Sequence, residues 1–168
     1  MRLWERFVAL QPEDANGYIN MASSHGKLGE FDKAREAART AVRLAPRLKE
    51  GHLNLGLSEF HSGNLVKAEH IFSEIVKQHG NYYSAVFLYG VTQLGLKKIS
   101  EGVKTLRSLE GRAIIWDHLS YAIQELVESL MNSGLTGIAR QLIIGAEKLE
   151  RTNDYLKGYH RQLEMEAA

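Results

Sequence analysis

A short phrase returns in this chain at a fixed interval: Gly29-Glu30-Phe31-Asp32-Lys33-Ala34, and then Gly63-Asn64-Leu65-Val66-Lys67-Ala68, 34 residues later. The same 34 residues separate Pro12 from Pro46, Ala34 from Ala68, and Ala68 from Gly102. A period of that length belongs to stacked helical hairpins, each unable to bury its apolar face without a neighbour. Such an array presents an extended surface rather than a closed pocket, which moves the functional expectation from catalysis toward binding.

Periodicity divides the chain into pairs of helices. In the first pair, Tyr18, Met21, Ala22 and His25 recur at helical spacing behind Asp14, which reads as an N-cap. Gly29 turns the chain, and Phe31, Ala34, Ala38, Ala41 and Leu44 form the second stripe, stopped by Pro46. The second pair carries Leu55, Gly56 and Glu59, the turn Gly63-Asn64, and then Leu65, Ala68, Phe72 and Ile75. The third reads from an N-cap at Asn81 through Phe87–Gly90, turns near Lys97 without a glycine, and continues through Ile99, Val103, Leu106 and Leu109. Gly102 there replaces an alanine, which by helix propensity weakens the helix by about 0.5–1 kcal/mol.

A fourth turn stands at Gly134-Leu135-Thr136-Gly137, 37 residues after Lys97. The excess around Gly111 predicts a longer first helix from about Ala113 to Ser133 and a local change of pitch. Asp154 to Ala168 reads as a capping helix with Tyr155, Leu156, Tyr159 and Leu163 on one face. At the other end, Leu3 to Leu10 aligns as the second helix of a pair whose first is absent. Either Trp4 and Phe7 form an N-terminal cap or the chain is cut from a longer array. The expected organisation is one domain over 1–168: a partial unit at 1–13, repeats at 15–48, 49–82, 83–119 and 120–153, and the cap at 154–168.

The columns resemble the tetratricopeptide repeat, whose pattern runs W-x₂-L-G-x₂-Y, A-x₃-F and P. In the second pair His52 stands in the tryptophan column, Leu55-Gly56 keep the L-G, and Ala68 and Phe72 keep A-x₃-F; in the first, Tyr18, Met21-Ala22, His25, Ala34, Ala38 and Pro46 fill matching columns. The resemblance implies an all-α fold, a right-handed superhelical solenoid of antiparallel helix pairs with about ten helices. The small residues Ala22, Gly56 and Gly90, with Ala34, Ala68 and Gly102, are then contact positions that let helices approach closely.

Composition removes several function classes. Lys and Arg number 21 against 20 Asp and Glu, a net charge of +1, so no general attraction draws the chain to nucleic acid or an anionic membrane. The absence of cysteine excludes disulfides, zinc ribbons and thiol catalysis. No apolar run reaches the length of a membrane span, and the charged start is unlike a signal peptide, so a cytoplasmic location is the default expectation. The seven histidines show no H-E-x-x-H and no i, i+4 pair, so no metal or cofactor is expected. His25 and His52 occupy aromatic columns, and Ser23-Ser24-His25-Gly26-Lys27 lies inside a helix rather than in a phosphate loop. No carboxylate pair is arranged for acid–base work, and the chain reads as a non-enzyme.

The resemblance also implies that the first helix of each pair lines a groove. Ile19, Ser23 and Lys27, then Leu53, Leu57, Phe60 and His61, then Phe87, Val91 and Leu94, then Gln124, Glu128 and Met131 fall there. Sugar transferases with such arrays hold a peptide main chain on an asparagine ladder. Here Asn20 and Asn54 supply two rungs before Leu88 and Glu125 end it, although these amides can equally bond neighbouring helices. The basic clamp of co-chaperones is missing: Ile19, Ser23, Asn54, Ser84 and Leu88 fill its columns. The expectation is a scaffold or adaptor that takes a peptide or helical segment of a partner on Asn20, Leu53, Asn54, Leu57, Phe60, Phe87, Val91 and Leu94. Alternatives are a regulatory or targeting module of a larger enzyme or secretion assembly, and a self-associating homo-oligomer.

Overall fold

The computed structural model describes residues 2–111, 119–151 and 153–165, and every regular element among them is an α-helix. The helices are α1 (Arg2–Leu10), α2 (Ala15–Lys27), α3 (Phe31–Leu44), α4 (Lys49–His61), α5 (Leu65–Gln78), α6 (Tyr83–Gly95), α7 (Ile99–Arg107), α8 (Leu119–Asn132), α9 (Thr136–Lys148) and α10 (Asp154–Met165). The chain divides between His79 and Gly80 into two compact units. The expected helix start at Ala113 and the end at Glu166–Ala168 lie outside the described residues.

One turn joins both helices of every hairpin. Gly29, Gly63 and Gly134 take φ values of 73°, 78° and 74°, and the next amide donates back to the carbonyl five residues earlier: Glu30 to His25, Asn64 to Glu59 and Leu135 to Leu130, at 2.8–3.0 Å. This is a Schellman closure, which satisfies a carbonyl the helix end leaves free. The third hairpin keeps it without glycine: Lys97 holds φ 64° while Lys98 N donates to Gln93 O at 2.9 Å.

The carbonyl-bearing residue of that closure is also a buried polar column. His25, Glu59 and Gln93 are each at most 6% exposed. His25 Nδ1 donates to Glu30 Oε2 at 2.6 Å, Asn64 Nδ2 donates to Glu59 Oε2 at 2.8 Å, and Thr105 Oγ1 donates to Gln93 Oε1 at 2.7 Å. Each bond ties a first helix to the start or body of its second. In the fourth hairpin the column is Leu130, fully buried, and the polar tie is replaced by apolar packing.

In unit 1, α2 packs on α3 and α4, and α4 on α3 and α5. Asp14 caps α2 by accepting from Asn16 N at 2.8 Å. Phe7 of α1 lies against α2 so closely that a methyl on Gly17 would stand 2.7 Å from Phe7 Cδ1, with Trp4 edge-on to Phe7 at 5.9 Å. Between α4 and α5, Phe72 is a knob over Gly56, where a methyl would stand 2.5 Å from Phe72 Cε1. The matching positions in the first hairpin, Ala22 and Ala38, share a small-residue cluster instead.

In unit 2, Leu106 covers Gly90 in the same way. Gly102 is no lapse of helix propensity: a methyl there would stand 2.7 Å from Leu94 Cδ2 and 2.9 Å from Gly90 O, so the close approach of α6 and α7 requires its absence. The fourth hairpin departs from the regular stacking expected. In unit 1 the first helix of the second hairpin, α4, packs on both helices before it; in unit 2 it is the second helix, α9, that makes the main contacts with α6 and α7, and α8 packs on α9. Arg107 Nη2 reaches Lys148 O at the end of α9, 3.4 Å away, where a cation is favoured by the helix dipole.

Two local expectations are corrected. Asn81 does not cap α6, which begins behind Tyr82 without a side-chain cap. On α10, Leu156 and Leu163 are buried but Tyr155 is 67% exposed, so the apolar face is narrower than the spacing implied. Among the described residues, no helix is long and apolar enough to cross a membrane.

Candidate functional site

The side-by-side contact of α2 and α4 in unit 1 is pinned by one side chain. Asn54 Nδ2 donates to the carbonyl of Ile19 at 3.0 Å, so this amide bonds the neighbouring helix and its donor is already engaged. Its Oδ1 has no hydrogen bond to the described residues. Beside it opens a cleft of about 280 Å³, lined from α2 by Ala22, Ser23, Gly26 and Lys27, from the start of α3 by Phe31, and from α4 by Asn54, Leu57, Ser58 and His61.

The cleft exists because the first repeat lacks two side chains that later repeats have. Ser23 and Gly26 stand 34 residues before Leu57 and Phe60, which stand 34 before Val91 and Leu94. Phe60, Val91 and Leu94 are fully buried, whereas a methyl built on Gly26 would meet nothing within 4 Å. Empty space thus lies where the repeat ordinarily places a large apolar group.

One wall is aromatic. Phe31 and His61 stack face to face, centroids 4.6 Å apart and planes at 4°, and Phe60 meets His61 edge-on at 5.5 Å. Burial pushes the His61 imidazole below its ordinary value, favouring the neutral ring that stacks on Phe31. Ser58 spends its hydroxyl hydrogen on Asn54 O at 2.8 Å. The remaining polar features are Ser23, Asn54 Oδ1 and the exposed cation of Lys27, which has no ion pair among the described residues.

Of the residues expected to contact a partner, Asn54 and Leu57 line the cleft together. Asn20 and Leu53, half-buried on α2 and α4, are not in its lining. Phe60 is core: its ring is fully buried and supports His61 from behind. In unit 2, Phe87 is half-buried, but Val91 and Leu94 are wholly inside, because α9 covers α6 and Leu94 inserts against Gly102 and Gly145. Gln124, expected on the same surface, is occupied within the unit: it donates to Glu128 Oε1 and accepts from Asn153 Nδ2. Phe31, expected from helical spacing in the stripe of α3, is half-buried and lines the cleft, whereas its repeat equivalent Leu65 is buried. The signal for the cleft was the comparison of Ser23 and Gly26 with the bulky residues in their columns.

Among the described residues no three His, Asp or Glu side chains stand close enough to hold a metal ion. Residues 19–82, which contain the whole cleft, match the family model for the tetratricopeptide repeat. The fold is similar to that of YrrB, a TPR protein with an unusual peptide-binding site, in its crystal structure: TM-score 0.62, 15% identity, 95% of this chain and 81% of that chain covered. Helical hairpins closed by one repeated turn, with small residues under large ones at the repeat's own columns, agree with the match of residues 19–82 to the tetratricopeptide repeat.

Proposed function

We propose that this chain is a protein-interaction module whose α2–α4 cleft takes a short segment of a partner protein. The observation that carries the reading is the vacancy at Ser23 and Gly26, bounded by the Phe31–His61 stack, which has the size and polarity to accept an apolar side chain. Asn54 Oδ1 is available to accept a main-chain N–H beside that anchor, and Lys27 at the rim suits a carboxylate next to it. The likeness of fold to YrrB, itself a TPR protein with an unusual peptide-binding site, supports a peptide as the ligand class.

The test fills the vacancy. Peptides selected from a random display library against the full chain are titrated against the native protein and against Gly26→Leu. Loss of at least about tenfold in affinity with unchanged helicity is expected, since the position is open and leucine favours the helix. Equal binding by Gly26→Leu and by Leu57→Asp overturns the assignment.

A further inference from the structure

A second cleft in unit 1, also about 280 Å³, lies at the end of the α4–α5 hairpin away from the Gly63–Asn64 turn and shares no residue with the first. Arg47 comes from the α3–α4 connection, Lys49 and His52 from the first turns of α4, His70 and Glu74 from α5, and His79 from just beyond it. The helix ends that meet here carry opposite partial charges, the start of α4 positive and the end of α5 negative, so side chains set the sign of the cleft. Glu74 is the one acid in the lining, and Lys77 Nζ already holds its carboxylate at 2.7 Å. Arg47 is exposed and makes no hydrogen bond or ion pair with the described residues. His52 is fixed in place: its Nε2 donates to Pro46 O at 2.8 Å. The three imidazoles are not grouped closely enough to hold a metal, which leaves them as hydrogen-bonding groups around the two cations.

We propose that this cleft binds a phosphoryl group. Such a group carries close to two negative charges and three acceptor oxygens, matching nitrogen groups that converge from three chain segments around a guanidinium able to bond two oxygens at once. Two sources share that chemistry, a phosphorylated side chain on a partner peptide and a free phosphate compound.

The full chain, ¹⁵N-labelled, is titrated at constant ionic strength with inorganic phosphate, with a phosphoserine peptide and with the same peptide unphosphorylated. Saturable shifts centred on Arg47, His52, His70 and His79 are expected with phosphate and with the phosphopeptide, and none with the unphosphorylated peptide. Tighter binding of the phosphopeptide assigns the site to a phosphorylated partner; equal binding assigns it to a free phosphate compound. Arg47→Ala combined with His70→Ala, both at exposed positions, is expected to lose at least about tenfold in affinity with an unchanged melting temperature. Arg47→Lys retains part of it, and Gly26→Leu in the other cleft leaves it intact. No saturable binding, or an unchanged affinity in the double variant, overturns the proposal.

Discussion

Leu94 of α6 sits directly over Gly145 of α9, so that any methyl group at position 145 would overlap its side chain. Leu94 is fully buried and its other side rests on Gly102, so it has nowhere to retreat. Helix propensity alone would have alanine at either glycine stabilise by about 1 kcal/mol. Overpacking reverses the sign: Gly145→Ala and Gly102→Ala are each expected to destabilise by about 1–3 kcal/mol in urea unfolding. Combined with Leu94→Ala, Gly145→Ala should cost less than the two changes summed. A stabilised Gly145→Ala protein would show that α9 does not pack on α6 as described.

Lys97 holds φ 64° at a turn where the other hairpins use glycine. A side chain in that conformation costs about 1 kcal/mol, and the closing bond from Lys98 N to Gln93 O does not need it. Lys97→Gly is therefore expected to raise stability by up to about 1 kcal/mol, read as a higher midpoint in thermal or urea unfolding. Gly63→Lys, the reverse exchange in unit 1, should lower it by a similar amount.

The hairpins, their turns and the small contact residues were legible because each is a local rule repeated: Gly29 and Gly63 report a turn, and Gly56 and Gly90 report a neighbour too close for a side chain. The same regularity misled where packing is not local. Val91 and Leu94 read as groove because the resemblance puts the first helix of each pair there, but α9 packs on α6 and both side chains are buried, as Phe60 already is in the column of Leu94. The turn expected near Lys97 forms without its glycine because the backbone there takes φ 64° at modest cost. The cleft was present in the sequence only as a difference between repeats, Ser23 and Gly26 against Leu57 and Phe60.

Glu59 ties three parts of unit 1 together. Its side chain is 4% exposed and accepts from Asn64 at 2.8 Å, with Arg39 and Arg35 at 3.4 and 3.9 Å. Arg35 retains Ser62 and Asp32 if Glu59 is removed, and Arg39 reaches solvent, so no cation is stranded. The loss is then chiefly the Asn64 bond and the packing, about 1–3 kcal/mol for Glu59→Ala in urea unfolding. Glu59→Gln preserves an acceptor for Asn64 and should cost less. Equal effects would mean that the charge, and not the tie to the turn, matters.

His61 couples the cleft to acidity. Burial holds its imidazole below the ordinary value of 6.5, so in the range just under that value the unfolded chain binds a proton that the folded chain does not. The stabilising contribution is complete above the unfolded value and is lost as pH falls through the lower, folded one. Glu30, held down first by Lys33 and then by His25, and Glu74, held down by Lys77, act in the same sense. Their unfolded value is 4.5, so their losses fall at more acid pH and are separable. His61→Phe keeps an aromatic partner for Phe31 and removes the titration. Between about pH 7 and about pH 5 the melting temperature of the native protein should fall more than that of His61→Phe. Capture of a selected peptide should weaken over the same range only in the native protein. Parallel melting curves for the two proteins would remove His61 from the account of acid sensitivity.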